Sequence, residues 1–252
     1  MNLAFNLDLA AGYKNQSQKI RVLTEEWTNT YIYCPNCGKS ISKYYNNKPA
    51  ADFYCPNCLE DYELKSKKNF IGSKIVDGAY GTMVESLNNC NNPNFFLLNY
   101  KLETFEVVNF LVIPKHFFIS EMIEKRKPLT DNARRAGWVG CNILLQNIPK
   151  TGKIYFIKDG IVKPKSIVIS EWKKTLFLRE QIDVGWAIDI IKCVETFRGR
   201  EFTLSEVYKF EAELSIKHPD NKHIKDKIRQ QLQLLRDKNY LTFVKRGIYK
   251  LI

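Results

Sequence analysis

Cys34-Pro35-Asn36-Cys37 and Cys55-Pro56-Asn57-Cys58 are separated by seventeen residues, and the second motif runs directly into Leu59-Glu60-Asp61-Tyr62-Glu63-Leu64-Lys65-Ser66. Each Cys-Pro-Asn-Cys turn aims two thiolates at one point. Two such turns complete a tetrahedral four-sulfur shell with no position left for water, which is the pattern of a structural rather than a catalytic Zn2+ site at Cys34, Cys37, Cys55 and Cys58. Rubredoxin-like iron and a redox dithiol are the competing readings. Cys90, Cys141 and Cys193 are scattered, and each reads as a small buried apolar side chain.

The residues flanking the second turn predict two short strands, one through Ala51-Asp52-Phe53-Tyr54 and one through Tyr62-Glu63-Leu64-Lys65, with the turn between them. Period-two alternation puts Tyr62 and Leu64 on one face and Glu63 and Lys65 on the other, and Asp52 on the adjoining strand can join the latter pair. Two carboxylates can hold a hard divalent cation that keeps several waters. A neighbouring lysine can orient or deprotonate one of those waters for in-line attack on a phosphodiester. Asp52, Glu63 and Lys65 are thus candidate catalytic residues of a metal-dependent nuclease. The triplet alone is weak, because Glu171-Trp172-Lys173 repeats it without that context and exposed Glu/Lys pairs are ordinary on strands. Pro49 and Asp52 upstream, at hairpin distance, strengthen it.

The whole chain of 252 residues has 44% hydrophobic and 13% aromatic content, enough to bury a core and too much for wholesale disorder. Its longest apolar runs, around Phe95-Phe96-Leu97-Leu98 and Phe110-Leu111-Val112-Ile113, fall far short of the about 18 residues that span a bilayer. No membrane association is expected, and the acid-containing N-terminus does not read as a secretory signal. The expected location is the cytoplasm. Phe95, Phe96, Phe110, Phe117 and Phe118 read as core, while His116, His218 and His223 show no ligand spacing and read as surface or capping residues. With 39 Lys+Arg against 27 Asp+Glu, the net charge of +12 makes a polyanion, and nucleic acid first, the default partner.

Much of that charge is C-terminal. Residues 221–252 carry nine Lys+Arg against Asp226 and Asp237. After a boundary near Asp183-Val184-Gly185, the stripe Trp186, Ile190, Ile191, Val194 and Phe197 predicts a helix ended by Arg198-Gly199. Thr203-Leu204-Ser205-Glu206 is a capping-box pattern before a second helix with Val207, Phe210 and Leu214 inward. A third helix follows the His218-Pro219-Asp220-Asn221 break, with Ile224, Ile228, Leu232 and Leu235 on one face and Lys222, Lys225, Arg229, Gln230, Gln233 and Arg236 on the others. Leu241–Val244 and Ile248–Leu251 flank Lys245-Arg246-Gly247, a hairpin with a basic tip. This is a winged-helix plan. Arg229, Gln230 and Gln233 are candidates for base edges, and Lys222, Lys225, Lys245 and Arg246 for phosphates; a merely solvated helix face is the bland reading.

The chain resembles, nearly end to end, the methyl-directed restriction endonucleases among the Pro-Asp...(Asp/Glu)-x-Lys nucleases. The likeness is carried by Ala51-Asp52-Phe53-Tyr54-Cys55, Glu63-Leu64-Lys65-Ser66-Lys67-Lys68, Asp77-Gly78-Ala79-Tyr80, Asn91-Asn92-Pro93-Asn94-Phe95-Phe96, Ala133-Arg134-Arg135-Ala136-Gly137-Trp138 and the stretch from His223-Ile224-Lys225 to Gln230-Gln231-Leu232. One departure is visible: the usual motif has Pro directly before the Asp, whereas Pro49-Ala50-Ala51 precede Asp52 here. The proline brings no ligand.

The resemblance implies an α/β (α+β) restriction-endonuclease-like core over residues 1–183, with the four-cysteine site inserted, followed by a winged-helix DNA-binding domain over 184–252. It implies Mg2+-dependent, blunt-ended cleavage of double-stranded DNA at G-A-T-C carrying N6-methyladenine. Asp52 and Glu63 become Mg2+ ligands, the Leu64 carbonyl a third, and Lys65 the residue acting on the attacking water. Within Arg134-Arg135-Ala136-Gly137-Trp138, the arginines suit phosphate or guanine and Trp138 can wall an N6-methyl group, which projects into the major groove; a packed core tryptophan is the alternative. A monomer without an obligate protein partner is expected. The rival functions are a non-catalytic, zinc-containing winged-helix regulator, a zinc-stabilised scaffold, and a repair or nicking nuclease.

Overall fold

The computed structural model describes residues 1–45, 51–89 and 91–252, so Pro49, Ala50 and Cys90 lie outside the described residues. Two compact units result, Met1–Lys173 and Lys174–Ile252. The division falls before the 183/184 boundary expected from sequence, because the short turn of helix Leu176–Glu180, with Phe177 and Leu178 buried, belongs to the second unit.

In the first unit, α1 (Gln16–Tyr31) starts at Asn15, whose side chain accepts from the Ser17 and Gln18 amides and so satisfies two otherwise orphan donors. Strands β1 (Ser42–Lys43), β2 (Phe53–Tyr54), β3 (Asp61–Lys68) and β4 (Lys74–Ala79) follow, then α2 (Tyr80–Asn88), β5 (Asn94–Tyr100), β6 (Val107–Ile113), β7 (Ile123–Lys125), β8 (Gly140–Leu144), β9 (Ile154–Lys158), β10 (Ile161–Val162) and α3 (Lys165–Lys173). Among the described residues, one sheet has the order β1-β2-β3-β5-β6-β9-β10 and a smaller one the order β4-β8-β7.

Among the described residues, only β3 and β5 pair in parallel in the larger sheet, with Glu63 opposite Phe95. Parallel neighbours need a crossover connection, which here is β4 and α2. Strand β5 is buried at every position, as its near-continuous apolar run suggests for a central strand. Tyr62 stacks on Phe96 at 4.3 Å. Phe96, Phe110 and Phe156 pack together at 5.1 and 5.5 Å, and Trp27 of α1 meets Phe110 at 5.8 Å. All five phenylalanines assigned to the core from sequence are buried.

The second unit contains α4 (Val184–Glu195), β11 (Glu201–Thr203), α5 (Leu204–Tyr208), α6 (Glu211–Lys217), α7 (Ile224–Asp237), β12 (Leu241–Lys245) and β13 (Ile248–Leu251), with sheet order β11-β13-β12. The helices carry the hairpin of a winged helix. Gly199, at φ +89, follows the end of α4, and Gly247, at φ +73, forms the wing turn. The capping box at Thr203 and Glu206 is formed in both directions.

Two features differ from the sequence reading. The second helix is two, broken at Lys209-Phe210, so that Phe210 meets Phe197 edge-on at 6.1 Å and Glu211 and Glu213 enter a new first turn, where acids are favoured. His218 is not simply a surface cap: it stacks on Trp186 at 3.8 Å, and its Nε2 lies 3.0 Å from Asp189 Oδ2. Replacing Thr203 by Ala is expected to destabilise the fold by about 1 kcal/mol, because the Glu206 amide loses its acceptor; thermal unfolding of the full chain measures the shift.

Candidate active site, metal cluster and nucleic-acid interface

The β2/β3 hairpin places the three sequence-predicted catalytic side chains together. The Asp52 amide donates to Tyr62 O at 2.9 Å, and the Tyr44 amide donates to Asp52 O at 2.8 Å. With its backbone so tied, Asp52 accepts from the Leu64 amide through Oδ2 at 2.7 Å. Alternation along β3 turns Glu63 and Lys65 to the face opposite buried Tyr62, and the Lys65 ammonium contacts Glu63 Oε1 directly. Lys65 lies 5.7 Å from the centroid of the Phe95 ring.

A fourth group was not assigned from sequence. Asp77, on β4, contacts the same Lys65 ammonium through Oδ1, and its side chain is only 6% exposed. The sequence placed Asp77-Gly78-Ala79-Tyr80 within the family likeness but gave Asp77 no role. No spacing rule connects it to Lys65, because a loop separates β3 from β4 and the two strands lie in different sheets.

Burial shapes the electrostatics of this group. It pushes the Glu63 carboxyl up to about 7, with Asp77 adding to the effect and Lys65 opposing it. It also raises Asp52, against the stabilising amide of Leu64. For Lys65, burial works against the ammonium, yet Glu63 and Asp77 together hold its pKa above the ordinary lysine value. Asp52, Glu63 and Leu64 line one open cavity of about 820 Å³, whose far wall is α1, with Arg21, Thr24 and Glu25. Glu25 is held there by Arg21 at 2.5 Å and by Lys43. Glu63 also reaches a second cavity of about 200 Å³, shared with Asp77. Two carboxylates at the wall of an open cavity suit a hard cation that keeps most of its waters.

The four cysteines form the one cluster among the described residues in which three or more His, Cys, Asp or Glu ligand atoms lie within 4.8 Å of one another. Cys34 and Cys58 sulfurs are 3.4 Å apart, as are those of Cys37 and Cys55. These separations are too long for disulfides, near 2.05 Å, and approach the about 3.8 Å edge of a tetrahedron with 2.3 Å metal–sulfur bonds. The cluster is therefore compatible with structural zinc. In the first knuckle Gly38 takes φ +74, whereas in the second Leu59 takes φ +59; their amides donate to Cys34 O and Cys55 O at 2.8 and 2.9 Å. Cys34 Sγ lies 3.1 Å from the Tyr62 hydroxyl, so the cluster touches the strand that carries Glu63 and Lys65. Cys141 and Cys193 are buried, as their sequence reading expects.

Trp138 is half-buried rather than a core residue. Gly137, at φ +77, turns the chain before it, and the indole lies so close over Gly140 that a Cβ there would come within 2.8 Å of the ring. The Arg135 guanidinium covers the ring at 4.8 Å from its centroid, while Arg134 is exposed. In the second unit Lys222, Lys225, Arg229, Gln230, Gln233, Lys245 and Arg246 are all exposed, whereas Gln231 is buried. Arg229 pairs with Asp226 and Lys225 with Glu211 at 3.2 Å; exposed pairs of this kind exchange at little cost.

A nuclease-like hairpin in one unit and a winged helix in the other define a protein that acts on DNA. Residues 1–181 match the model of the Dam-replacing family (DpnI), and residues 183–251 match that of the Dam-replacing HTH domain. The chain belongs to the Dam-replacing family. Membership points to a methyl-dependent, restriction-type nuclease with a DNA-binding helix-turn-helix domain. Among the described residues no helix is long and apolar enough to cross a membrane. Chelator treatment, or Cys55→Ser, is expected to remove one bound zinc per chain and lower the melting temperature, as elemental analysis and thermal unfolding would measure.

Proposed function

We propose that the chain is a restriction endonuclease that hydrolyses double-stranded DNA at G-A-T-C sites carrying N6-methyladenine, with Mg2+ as catalytic ion and blunt ends as product. The observation that carries the reading is the convergence of Asp52, Glu63 and Lys65 on one hairpin beside an open cavity. In this reading residues 1–183 are the nuclease domain and 184–252 the winged-helix domain. Zn2+ at Cys34, Cys37, Cys55 and Cys58 is structural. The protein works in the cytoplasm as a monomer without an obligate protein partner.

Asp52, Glu63 and the Leu64 carbonyl would hold Mg2+, which when bound supplies Lewis acidity and a more acidic water. Asp52 is oriented by the Leu64 amide it accepts from, and Glu63 must give up part of its bond to Lys65 to serve as a ligand. Lys65 then orients the attacking water for in-line displacement at phosphorus and offers its positive charge to the phosphate oxygens. Arg229, Gln230 and Gln233 address base edges, and Lys222, Lys225, Lys245 and Arg246 the phosphates, in the manner of a recognition helix with a basic wing. From the nuclease domain, Arg134 and Arg135 address phosphate or guanine and Trp138 the N6-methyl group.

One plasmid, prepared with and without adenine methylation at G-A-T-C and incubated with Mg2+ or EDTA, tests the reading. Discrete fragments are expected only from methylated DNA with Mg2+. Intact DNA in every lane, from folded protein that still binds DNA, would favour the non-catalytic regulator. Asp52→Ala and Lys65→Ala are each expected to lower cleavage by at least about 10²-fold while leaving binding to methylated duplex nearly unchanged by fluorescence anisotropy. Trp138→Ala is expected to lower the ratio of methylated to unmethylated cleavage; an unchanged ratio would place methyl sensing elsewhere.

A further inference from the structure

We propose that Asp77 is a positioning residue for the cleavage reaction: by holding the Lys65 ammonium from a strand other than that of Glu63, it keeps the lysine in place when Glu63 turns to a metal. The inference rests on the nuclease reading above. Three observations carry it. Lys65 has two carboxylate partners, Glu63 and Asp77, on different strands and different sheets. Asp77 is the more enclosed of the two, with 6% side-chain exposure against 23% for Glu63.

The third observation is a break in register. Asp77 pairs with Cys141 and Ala79 with Gly140, so Gly78 is the extra residue of a β-bulge. Cys141 Sγ contacts Gly78 O at 3.6 Å. Bulges bend a strand and re-aim its side chains, and they are frequent beside active sites.

Lysine is a compact charge on a flexible stem. With Glu63 as sole partner, the ammonium would follow that carboxylate and compete with the cation for its oxygens. With Asp77 in place, Lys65 has a fixed anchor that does not move with the ligand. Asp77 is one strand pair away from Gly140, over which Trp138 lies, so the same small sheet carries the anchor of Lys65 and the candidate base-reading ring.

The test compares wild type, Asp77→Asn, Asp77→Glu and Glu124→Gln. The last removes a carboxylate of the same sheet that pairs with Lys74 and Asn142. Single-turnover cleavage of methylated duplex is expected to fall about 10- to 100-fold in Asp77→Asn, with Kd for DNA in Ca2+ unchanged, partial recovery in Asp77→Glu and no change in Glu124→Gln. In a Lys65→Ala background Asp77→Asn should add no further loss, which a merely structural role would. In metal-free protein, acetylation of Lys65 by limiting acetic anhydride, read by peptide mass spectrometry, should rise several-fold in Asp77→Asn. Cleavage by Asp77→Asn at the wild-type rate, or an equal additional loss in the Lys65→Ala background, would overturn the role of Asp77 and leave the nuclease reading standing. Methylated DNA left intact by the wild type would overturn both.

Discussion

The parallel pairing of β3 with β5 is the constraint on which the candidate site depends. Two parallel neighbours cannot be joined by a tight turn, so the chain leaves β3 after Lys68, forms β4 and α2, and returns at Asn94. That excursion brings Asp77 to Lys65. It also gives β8 a strand to pair with, β7 pairing on the far edge of β8, and so frames the loop containing Arg134, Arg135 and Trp138. Asp77, the loop containing Arg134, Arg135 and Trp138, and the hairpin carboxylates are gathered by one topological requirement.

On its other side β3 has little support of its own, because β2 is two residues long and β1 beyond it is equally short. Local pairing this brief is marginal. The four-cysteine cluster supplies the missing restraint, since the second knuckle is the turn between β2 and β3 and Cys34 reaches the Tyr62 hydroxyl. Tyr62 in turn stacks on Phe96 in the core. Glu63 thus directly follows the residue that anchors the strand, Tyr62. The enclosed group of Glu63, Lys65 and Asp77 adds nothing obvious to stability, as burying paired charges seldom does.

How much of this was legible in the sequence depended on distance along the chain. The cysteine knuckles, the hairpin and the shared face of Glu63 and Lys65 follow from local spacing and period-two alternation, and the winged helix from helical stripes, a capping box and a glycine turn. Asp77 was not legible as a partner of Lys65, because the contact is made across a crossover whose geometry no motif encodes. The break at Lys209-Phe210 was hidden for a related reason: helical periodicity continues through it, and the gain is a contact with Phe197, outside the helix. Trp138 was open between core and interface; it is half-buried, and Gly140, whose missing side chain gives the indole its resting place, is a partner that no spacing pattern names.

The guanidinium of Arg135 already covers one face of Trp138. A cation over an indole is worth about 0.5–1 kcal/mol at an exposed site and more once water is excluded. A base that stacks on that same face would therefore enter by exchange, displacing an internal ligand rather than filling bare surface. The net gain from stacking a base on the ring would then be the difference between two contacts, and the released arginine would be left beside the nucleic acid with its charge free for a phosphate.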